Sequence, residues 1–169
     1  MQKLFLISSL VLLVGVACDD GSRSDPCEGV TCSDHGTCLV NTDNQAYCEC
    51  DTCYIADGLT CGREEVEVTA TEIAEPTLWQ SHQTILLTEY LNVSSELVIE
   101  ECVEIRMLDD GSIHVWDNGA ITAQRPAEHP VTFTSSEASP AAGDWRNIEI
   151  QSTAALDSSF DHTIFEYGG

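Results

Sequence analysis

The segment VEIRMLDDGSIHVWDNG, residues 103–119, contains two short runs in which apolar and polar residues alternate, separated and followed by turn-forming residues. The same arrangement recurs further along the chain; the runs are 103–107, 112–116, 131–134 and 147–150, and the turn segments are 109–111, 117–119 and 142–144. Alternation with period two is typical of half-buried strands, and no convincing helical stretch interrupts it. The sequence therefore predicts an all-β domain, but the strand pattern leaves hairpin sandwiches and coiled β-solenoids open.

Several short sequence segments between residues 78 and 169 favour one of these two folds. In order, the chain reads LVIE (97–100), VEIRM (103–107), GAITAQ (119–124), HPVTFTS (129–135), GDW (143–145) and IFEYGG (164–169). These phrases, in this order, resemble the right-handed parallel β-helix proteins of bacterial surfaces, a pectate-lyase-like fold. The chain departs from the family at three turn positions, Glu101-Cys102, Arg125-Pro126 and Arg146-Asn147, so we expect altered corners within the same fold.

The resemblance implies coils whose inward apolar side chains stack on those of the next coil. The residues expected inside are Ile105, Ile113, Val115, Ile121, Val131, Phe133, Ile148, Ile150 and Ile164. The chain stops at Gly169, directly after a strand and without a polar cap, which leaves backbone groups open to edge pairing. We therefore expect an incomplete β-helix from a longer protein, or an end that docks on a partner. Residues 63–77 are expected to form a linker or a first strand.

Residues 1–17 have the pattern of an export signal. Lys3 precedes an apolar stretch, and the small residues Gly15 and Ala17 stand just before Cys18. The apolar stretch is too short to span a bilayer stably, which is typical of a signal peptide. Cys18 and the polar tether at 18–24 resemble the lipobox of bacterial lipoproteins, although Gly15 replaces the usual Leu. The resemblance implies lipidation of Cys18 and a membrane-anchored location in the cell envelope, facing outside. The alternative is a secreted protein.

Seven further cysteines lie between residues 27 and 61, and an oxidising compartment favours disulfides over a zinc site for them. Six follow the spacing Cys27-x4-Cys32-x5-Cys38-x9-Cys48-x-Cys50-x10-Cys61. This spacing, together with HGTC at 35–38 and with Tyr54 and Gly58, resembles an EGF-like domain over residues 25–62. The resemblance implies the bridges Cys27 to Cys38, Cys32 to Cys48 and Cys50 to Cys61. A segment this short cannot bury an adequate core, so the bridges would supply its stability.

Two cysteines, Cys53 and Cys102, remain after Cys18 and the six module cysteines are assigned. Parity suggests a bridge between them that fixes the module against the next domain; the alternatives are two free thiols or a different pairing of Cys53. Calcium-binding EGF-like domains make Asp25 and Asn41 candidate ligands here. The residues before Cys27 and the aromatic beside Cys48 depart from the calcium pattern, so a spacer or interaction module is the plainer interpretation.

The chain is strongly acidic, with 6 Lys+Arg against 29 Asp+Glu and a formal net charge of -23. Such a surface cannot neutralise phosphates, which excludes nucleic-acid binding, and any partner gathered by electrostatics is cationic. Lys3 is the only lysine, so the permanently positive side chains of the mature chain are all arginines: Arg23, Arg63, Arg106, Arg125 and Arg146. The plain interpretation of this acidity is a solvated, self-repelling surface.

Many β-helix proteins are enzymes, so catalysis must be weighed. Lyases of uronate polysaccharides need cations near the substrate carboxylate, and the mature chain has few. Hydrolases need paired carboxylates, but acidic residues are so abundant that the candidates are expected on solvated faces: Glu104, Asp109, Asp110 and Asp144. His114, His129 and His162 occur without a Gly-x-Ser-x-Gly elbow. Trp79 and Trp116 could stack on sugars if exposed, whereas Trp145 is expected to pack in a corner.

The sequence therefore favours a non-enzymatic surface lipoprotein whose β-helix presents an elongated face for glycan or protein binding. The alternative is a carbohydrate-active β-helix enzyme, a polysaccharide lyase or hydrolase, whose active coils lie beyond Gly169. We predict no catalytic residue, and no cofactor apart from the calcium candidates.

Overall fold

The computed structural model describes residues 24–124, 126–152, 154 and 158–169, so Cys18, the signal segment and Arg125 lie outside the described residues. The strands, in chain order, are β1 (Gly36–Val40), β2 (Ala46–Cys50), β3 (Ile55–Asp57), β4 (Thr60–Gly62), β5 (Glu64–Val68), β6 (Glu72–Ile73), β7 (Thr77–Trp79), β8 (Gln83–Leu87), β9 (Leu91–Val93), β10 (Glu96–Ile99), β11 (Glu104–Met107), β12 (Ser112–Val115), β13 (Ala120–Gln124), β14 (Val131–Ser135), β15 (Asn147–Ile150), β16 (Ser159–Asp161) and β17 (Thr163–Phe165). The helical content of the described residues is one 3-10 turn, Cys32–Asp34. None of their helices is long or apolar enough to cross a membrane.

A small N-terminal module is built from two antiparallel hairpins, β1 with β2 and β3 with β4. Three disulfides hold it together: Cys27–Cys38, Cys32–Cys48 and Cys50–Cys61. These are the pairs that the EGF-like resemblance implies. The core of this module consists of little more than Cys32, Cys48 and Cys61, with partly buried residues around them, so covalent bridges replace the missing apolar interior.

The remaining strands form three parallel sheets, which we call sheets A, B and C. Sheet A has the order β17-β14-β11-β8-β5, sheet B has β15-β12-β9-β6, and sheet C has β16-β13-β10-β7. Successive strands enter sheets A, B and C in turn, and each strand pairs with the strand three places later in the chain. The predicted all-β fold with stacked parallel coils is therefore confirmed. Residues 63–77 contribute β5, β6 and the start of β7 to these coils.

The interior of the coils is an apolar stack in which each inward residue lies on its counterpart one coil away. In sheet A, for example, Val66, Ile85, Ile105, Phe133 and Phe165 are aligned by the register of the parallel pairs. The fully buried side chains of the stack include Ile85, Leu91, Leu97, Ile99, Ile105, Met107, Ile113, Ile121 and Phe133. Six of the expected inward residues are completely buried: Ile105, Ile113, Val115, Ile121, Val131 and Phe133.

The last strands differ from the expectation. Ile148 is only partly buried, and Ile150 is 47% exposed although it is aligned with inward Val115, because no described strand stacks on β15. Ile164 was expected inside, and this is wrong. It is aligned with outward Thr132, whereas Phe165 is aligned with inward Phe133, so the alternation along β17 is shifted by one residue.

The turn after β12 contains a glycine because the backbone there passes close to the backbone of the preceding coil. Gly119 follows β12, and a Cβ atom there would lie 1.9 Å from the carbonyl oxygen of Val93 in the preceding coil. At the C-terminal end, the ring of buried Trp145 covers Gly168, where a Cβ would lie 2.7 Å from the ring. The indole nitrogen of Trp145 donates to the backbone oxygen of Glu166 at 2.6 Å. Trp145 is thus the corner-packing residue that the sequence predicts.

Candidate functional site

The junction between the module and the β-helix contains the fourth disulfide, Cys53–Cys102, with a Cα–Cα distance of 5.7 Å. Cys53 lies between β2 and β3, and Cys102 lies in the turn between β10 and β11. The guanidinium of Arg63 donates to the backbone oxygen of Cys102 and, over 3.0 Å, to that of Gln83. The bridge that parity suggests is therefore present, and it is reinforced by Arg63.

A third metal-ligating side chain lies against this bridge. His129, in the turn before β14, places its Nδ1 atom 3.8 Å from Sγ of Cys53, and its backbone oxygen accepts a hydrogen bond of 3.3 Å from the amide of Cys102. A pocket of about 330 Å³ surrounds the group and is also lined by Glu104 and Glu128. No sequence pattern predicts this contact, because His129 and Cys53 are separated by 76 residues and share no local motif.

The two calcium candidates are each engaged within their own turn. Oδ1 of Asp25 accepts a hydrogen bond of 2.9 Å from the amide of Cys27. Oδ1 of Asn41 accepts hydrogen bonds from the amides of Asp43, at 3.0 Å, and Gln45, at 2.9 Å. These oxygen atoms therefore stabilise local backbone turns of the module.

The carboxylates considered for hydrolysis lie in three places: Glu104 on β11, Asp109 and Asp110 together in the turn after it, and Asp144 before β15. Glu104 lies 3.7 Å from the guanidinium of Arg63 and also pairs with Arg106. A hydrogen bond from Arg146, at 2.9 Å, and its positive charge lower the pKa of Asp110. Hydrogen bonds from the Ser135 hydroxyl and the Ala141 amide lower the pKa of Asp144. A general acid in glycoside hydrolysis needs a raised pKa, so the electrostatics of Asp110 and Asp144 oppose that role.

The histidine and tryptophan candidates are dispersed over the molecule. His114 lies on sheet B, aligned with Asn92 and Glu149, and Nδ1 of His162 lies 3.3 Å from Oδ1 of its neighbour Asp161. Two tryptophans are buried and Trp116 is half-buried; the buried ones are Trp79 and Trp145. None of these three offers a fully exposed ring on which a sugar could stack.

Sheet B has a polar outward face, which we call the sheet B face and define by Glu72, Asn92, His114 and Glu149. The register aligns these four residues, one from each coil. Glu72 and Glu149 are exposed, and Glu72 accepts a hydrogen bond of 2.8 Å from the hydroxyl of Ser94. Neither carboxylate takes part in a salt bridge found among the described residues.

The C-terminal edge is apolar, in contrast to the sheet B face. A cleft of about 400 Å³ is lined by side chains that include Ile148, Ile150, Phe160, Phe165 and Tyr167. Phe165 stacks on Phe133 with ring centroids 5.1 Å apart, as it would in the interior of a taller stack. The apolar character of this cleft therefore reflects inward positions of the last coil.

Comparisons with known proteins return no match for this chain, whether with protein-family models, with curated proteins or with solved structures.

Proposed function

We propose that this chain is a non-enzymatic, lipid-anchored protein of the cell envelope whose β-helix binds a cationic protein surface through the sheet B face. The observation that carries the proposal is the distribution of charge on the outward positions. The arginines of the described coils are engaged with carboxylates elsewhere: Arg63 and Arg106 with Glu104, and Arg146 with Asp110. Glu72 and Glu149 are left to meet an external cation.

A protein is favoured over a glycan as the partner. Sugar recognition commonly uses exposed aromatic rings, and the tryptophans of this chain are buried or half-buried. The two carboxylates of the sheet B face, Glu72 and Glu149, stand at its two ends, three strand spacings or roughly 14 Å apart, and suit lysine or arginine side chains of a protein surface. The net charge of -23 would attract such a partner over long distances at low ionic strength.

The proposed location is supported by the disulfides and by the N-terminal segment. Four disulfides are typical of proteins exposed to the extracellular space or the cell envelope. The signal-like segment and the lipobox resemblance support an anchor at Cys18. The first-to-third, second-to-fourth and fifth-to-sixth pairing of the module supports an EGF-like spacer that carries the β-helix away from the membrane.

The binding proposal is tested with a lysine-rich model peptide on the mature chain, measured by biolayer interferometry at increasing NaCl. The test variant is Glu72→Gln with Glu149→Gln. The matched control, Asp43→Asn with Asp57→Asn, removes the same charge from exposed positions of the module. We expect the test variant to weaken binding several-fold more than the control. Equal weakening would mean that net charge alone attracts the peptide, and would refute the role of the sheet B face.

Two further measurements separate the alternatives. A glycan array that shows salt-independent binding to a sugar would replace the protein partner with a glycan. Metabolic labelling with a palmitate analogue tests the anchor: the natural chain is expected to carry the label, and Cys18→Ala is expected to lose it. Equal labelling of both chains would refute lipidation at Cys18.

A further inference from the structure

The junction pocket brings three side chains of metal-ligating type to one point. The Sγ atoms of Cys53 and Cys102 and a ring nitrogen of His129 all lie within 4.8 Å of one another. The three residues come from the module, the turn before β11 and the turn before β14. Convergence of three such residues from distant parts of the chain needs a reason beyond the bridge, because a disulfide requires only the two cysteines.

We propose that, when the Cys53–Cys102 bridge is reduced, the two thiolates and His129 bind a divalent metal ion of the zinc class. The bridged form and the metal-bound form then exclude each other. The junction is therefore a metal site whose occupancy depends on the redox state of its two sulfur ligands. This inference does not depend on the proposed binding function of the sheet B face.

The geometry of the pocket fits a tetrahedral ion after a small movement. With Zn–S bonds of about 2.3 Å and Zn–N bonds of about 2.0 Å, ligand sulfurs lie about 3.8 Å apart and sulfur and nitrogen about 3.5 Å apart. The Sγ of Cys53 is already 3.8 Å from Nδ1 of His129. Once the bond of about 2.0 Å between them is broken, the two sulfurs must separate by roughly 1.8 Å, and rotation about χ1 of the cysteines is the movement that separates them.

The surroundings favour this chemistry. Both cysteines have left-handed backbone conformations, with φ of 82° at Cys53 and 65° at Cys102, and such positions concentrate at functional sites in proteins. Both are partly exposed, so a small thiol can reach the sulfurs. The guanidinium of Arg63 is anchored on the backbone oxygen of Cys102, and a positive charge near a cysteine favours the thiolate over the thiol. Glu128 lines the same pocket and can supply a fourth ligand, as can water.

Conversion of the disulfide-bridged form into the reduced, metal-bound form requires two electrons, which a thiol reductant supplies. Two molecules of a monothiol supply two electrons; the Sγ–Sγ bond of the protein breaks and a disulfide forms between the two small molecules. The two protein thiols release two protons as they bind the divalent ion. Reoxidation of the cysteines by a small-molecule disulfide reverses each step and releases the metal. Zinc itself undergoes no change of oxidation state.

The test begins with limited anaerobic reduction of the mature chain by dithiothreitol, followed by alkylation and mass mapping of the modified cysteines. A second portion of the reduced protein is left unalkylated and freed of dithiothreitol; Cd²⁺ is titrated into it, thiolate-to-cadmium absorption is followed, and Zn²⁺ is added as a competitor. We expect Cys53 and Cys102 to be alkylated before the six module cysteines. The reduced chain should bind one equivalent of Cd²⁺, and the oxidised chain should bind none at the same concentration.

Substitutions assign the imidazole ligand. His129→Ala is expected to weaken Cd²⁺ binding by at least about 10-fold, because removal of a ligand costs no less than removal of its supporting hydrogen bond. His162→Ala, at an exposed position between β16 and β17, is the matched control and should bind like the natural chain. Cadmium NMR of the natural reduced chain reports a nitrogen ligand without any substitution that could disturb folding. Earlier opening of the module bridges, absence of the cadmium absorption, or equal binding by His129→Ala would each overturn the proposal.

Discussion

Replacement of Phe133 by alanine should be among the most destabilising single substitutions in the β-helix. The ring is fully buried on β14 and stacks on Phe165, with centroids 5.1 Å apart. A buried phenylalanine removes roughly 150–200 Å² from water, which at about 25 cal/mol per Å² corresponds to about 4–5 kcal/mol. Measured substitutions of this type cost about 3–5 kcal/mol. We therefore expect Phe133→Ala to lower the free energy of unfolding by about 4 kcal/mol.

Phe165→Ala is the informative comparison, because the same ring type is 49% exposed there. Half of the transfer free energy gives an expected loss of about 2 kcal/mol. In the double variant, the coupling free energy between the stacked rings should be about 1 kcal/mol. Thr134→Ala is the control on the outward side of the same strand. Its hydroxyl donates to a carboxylate oxygen of Glu166 at 3.2 Å, and its loss should cost less than about 1 kcal/mol.

The assay is urea unfolding of the mature chain with its disulfides intact, followed by far-UV circular dichroism. The reasoning depends on the inward alignment of Phe133 with Phe165 in sheet A. A cost below about 1.5 kcal/mol for Phe133→Ala would refute it, given the known range for buried aromatic residues. Zero coupling between the two rings would refute their stacking, and an equally costly Thr134→Ala would refute the assignment of the two sides of β14.

Three other predictions concern the turns and the junction. Gly119→Ala should unfold the chain or cost more than about 2 kcal/mol in the same urea assay, because the new Cβ meets a backbone carbonyl at 1.9 Å. Replacing both Cys53 and Cys102 by serine removes a bridge across 49 residues and should cost about 4 kcal/mol, measured by the same unfolding curve. The lowered pKa of Asp144 contributes stability that is present above the carboxyl's unfolded pKa and is lost as pH falls through the folded pKa; NMR titration should show that pKa rising in Ser135→Ala.

The inward side of the inner strands could be predicted from the sequence, whereas that of the last strand could not. Alternation with period two places Ile105 and Phe133 correctly, because strands on both sides enclose these residues and the inward positions beside them, Met107 and Val131, are apolar too. At β17 the sequence Thr163-Ile164-Phe165 contains two adjacent large apolar residues, so composition does not define the inward side. The register with β14 decides it, and register is a property of the pairing between distant strands.

At the candidate site, likewise, the disulfide could be predicted from the sequence, whereas the tertiary contact with His129 could not. Parity pointed to a bridge between Cys53 and Cys102 because only two cysteines remained, and this needs no geometry. The approach of His129 to that bridge depends on the tertiary contact that brings the turn before β14 to Cys53. No periodicity or motif encodes a contact across 76 residues, so the sequence alone does not distinguish this histidine from the others.

The junction also determines how the module moves when its bridge opens. Strand β4 of the module ends at Gly62 and β5 of the β-helix begins at Glu64, so Arg63 is the single residue between them. Its guanidinium donates to the backbone oxygen of Cys102, in the turn before β11, and to that of Gln83, at the start of β8, and these contacts do not involve the sulfur atoms. Reduction therefore breaks the Cys53–Cys102 disulfide but leaves the one-residue connection at Arg63 and its hydrogen bonds in place. A redox change at the bridge should alter the ligands in the pocket while the module stays docked on the β-helix.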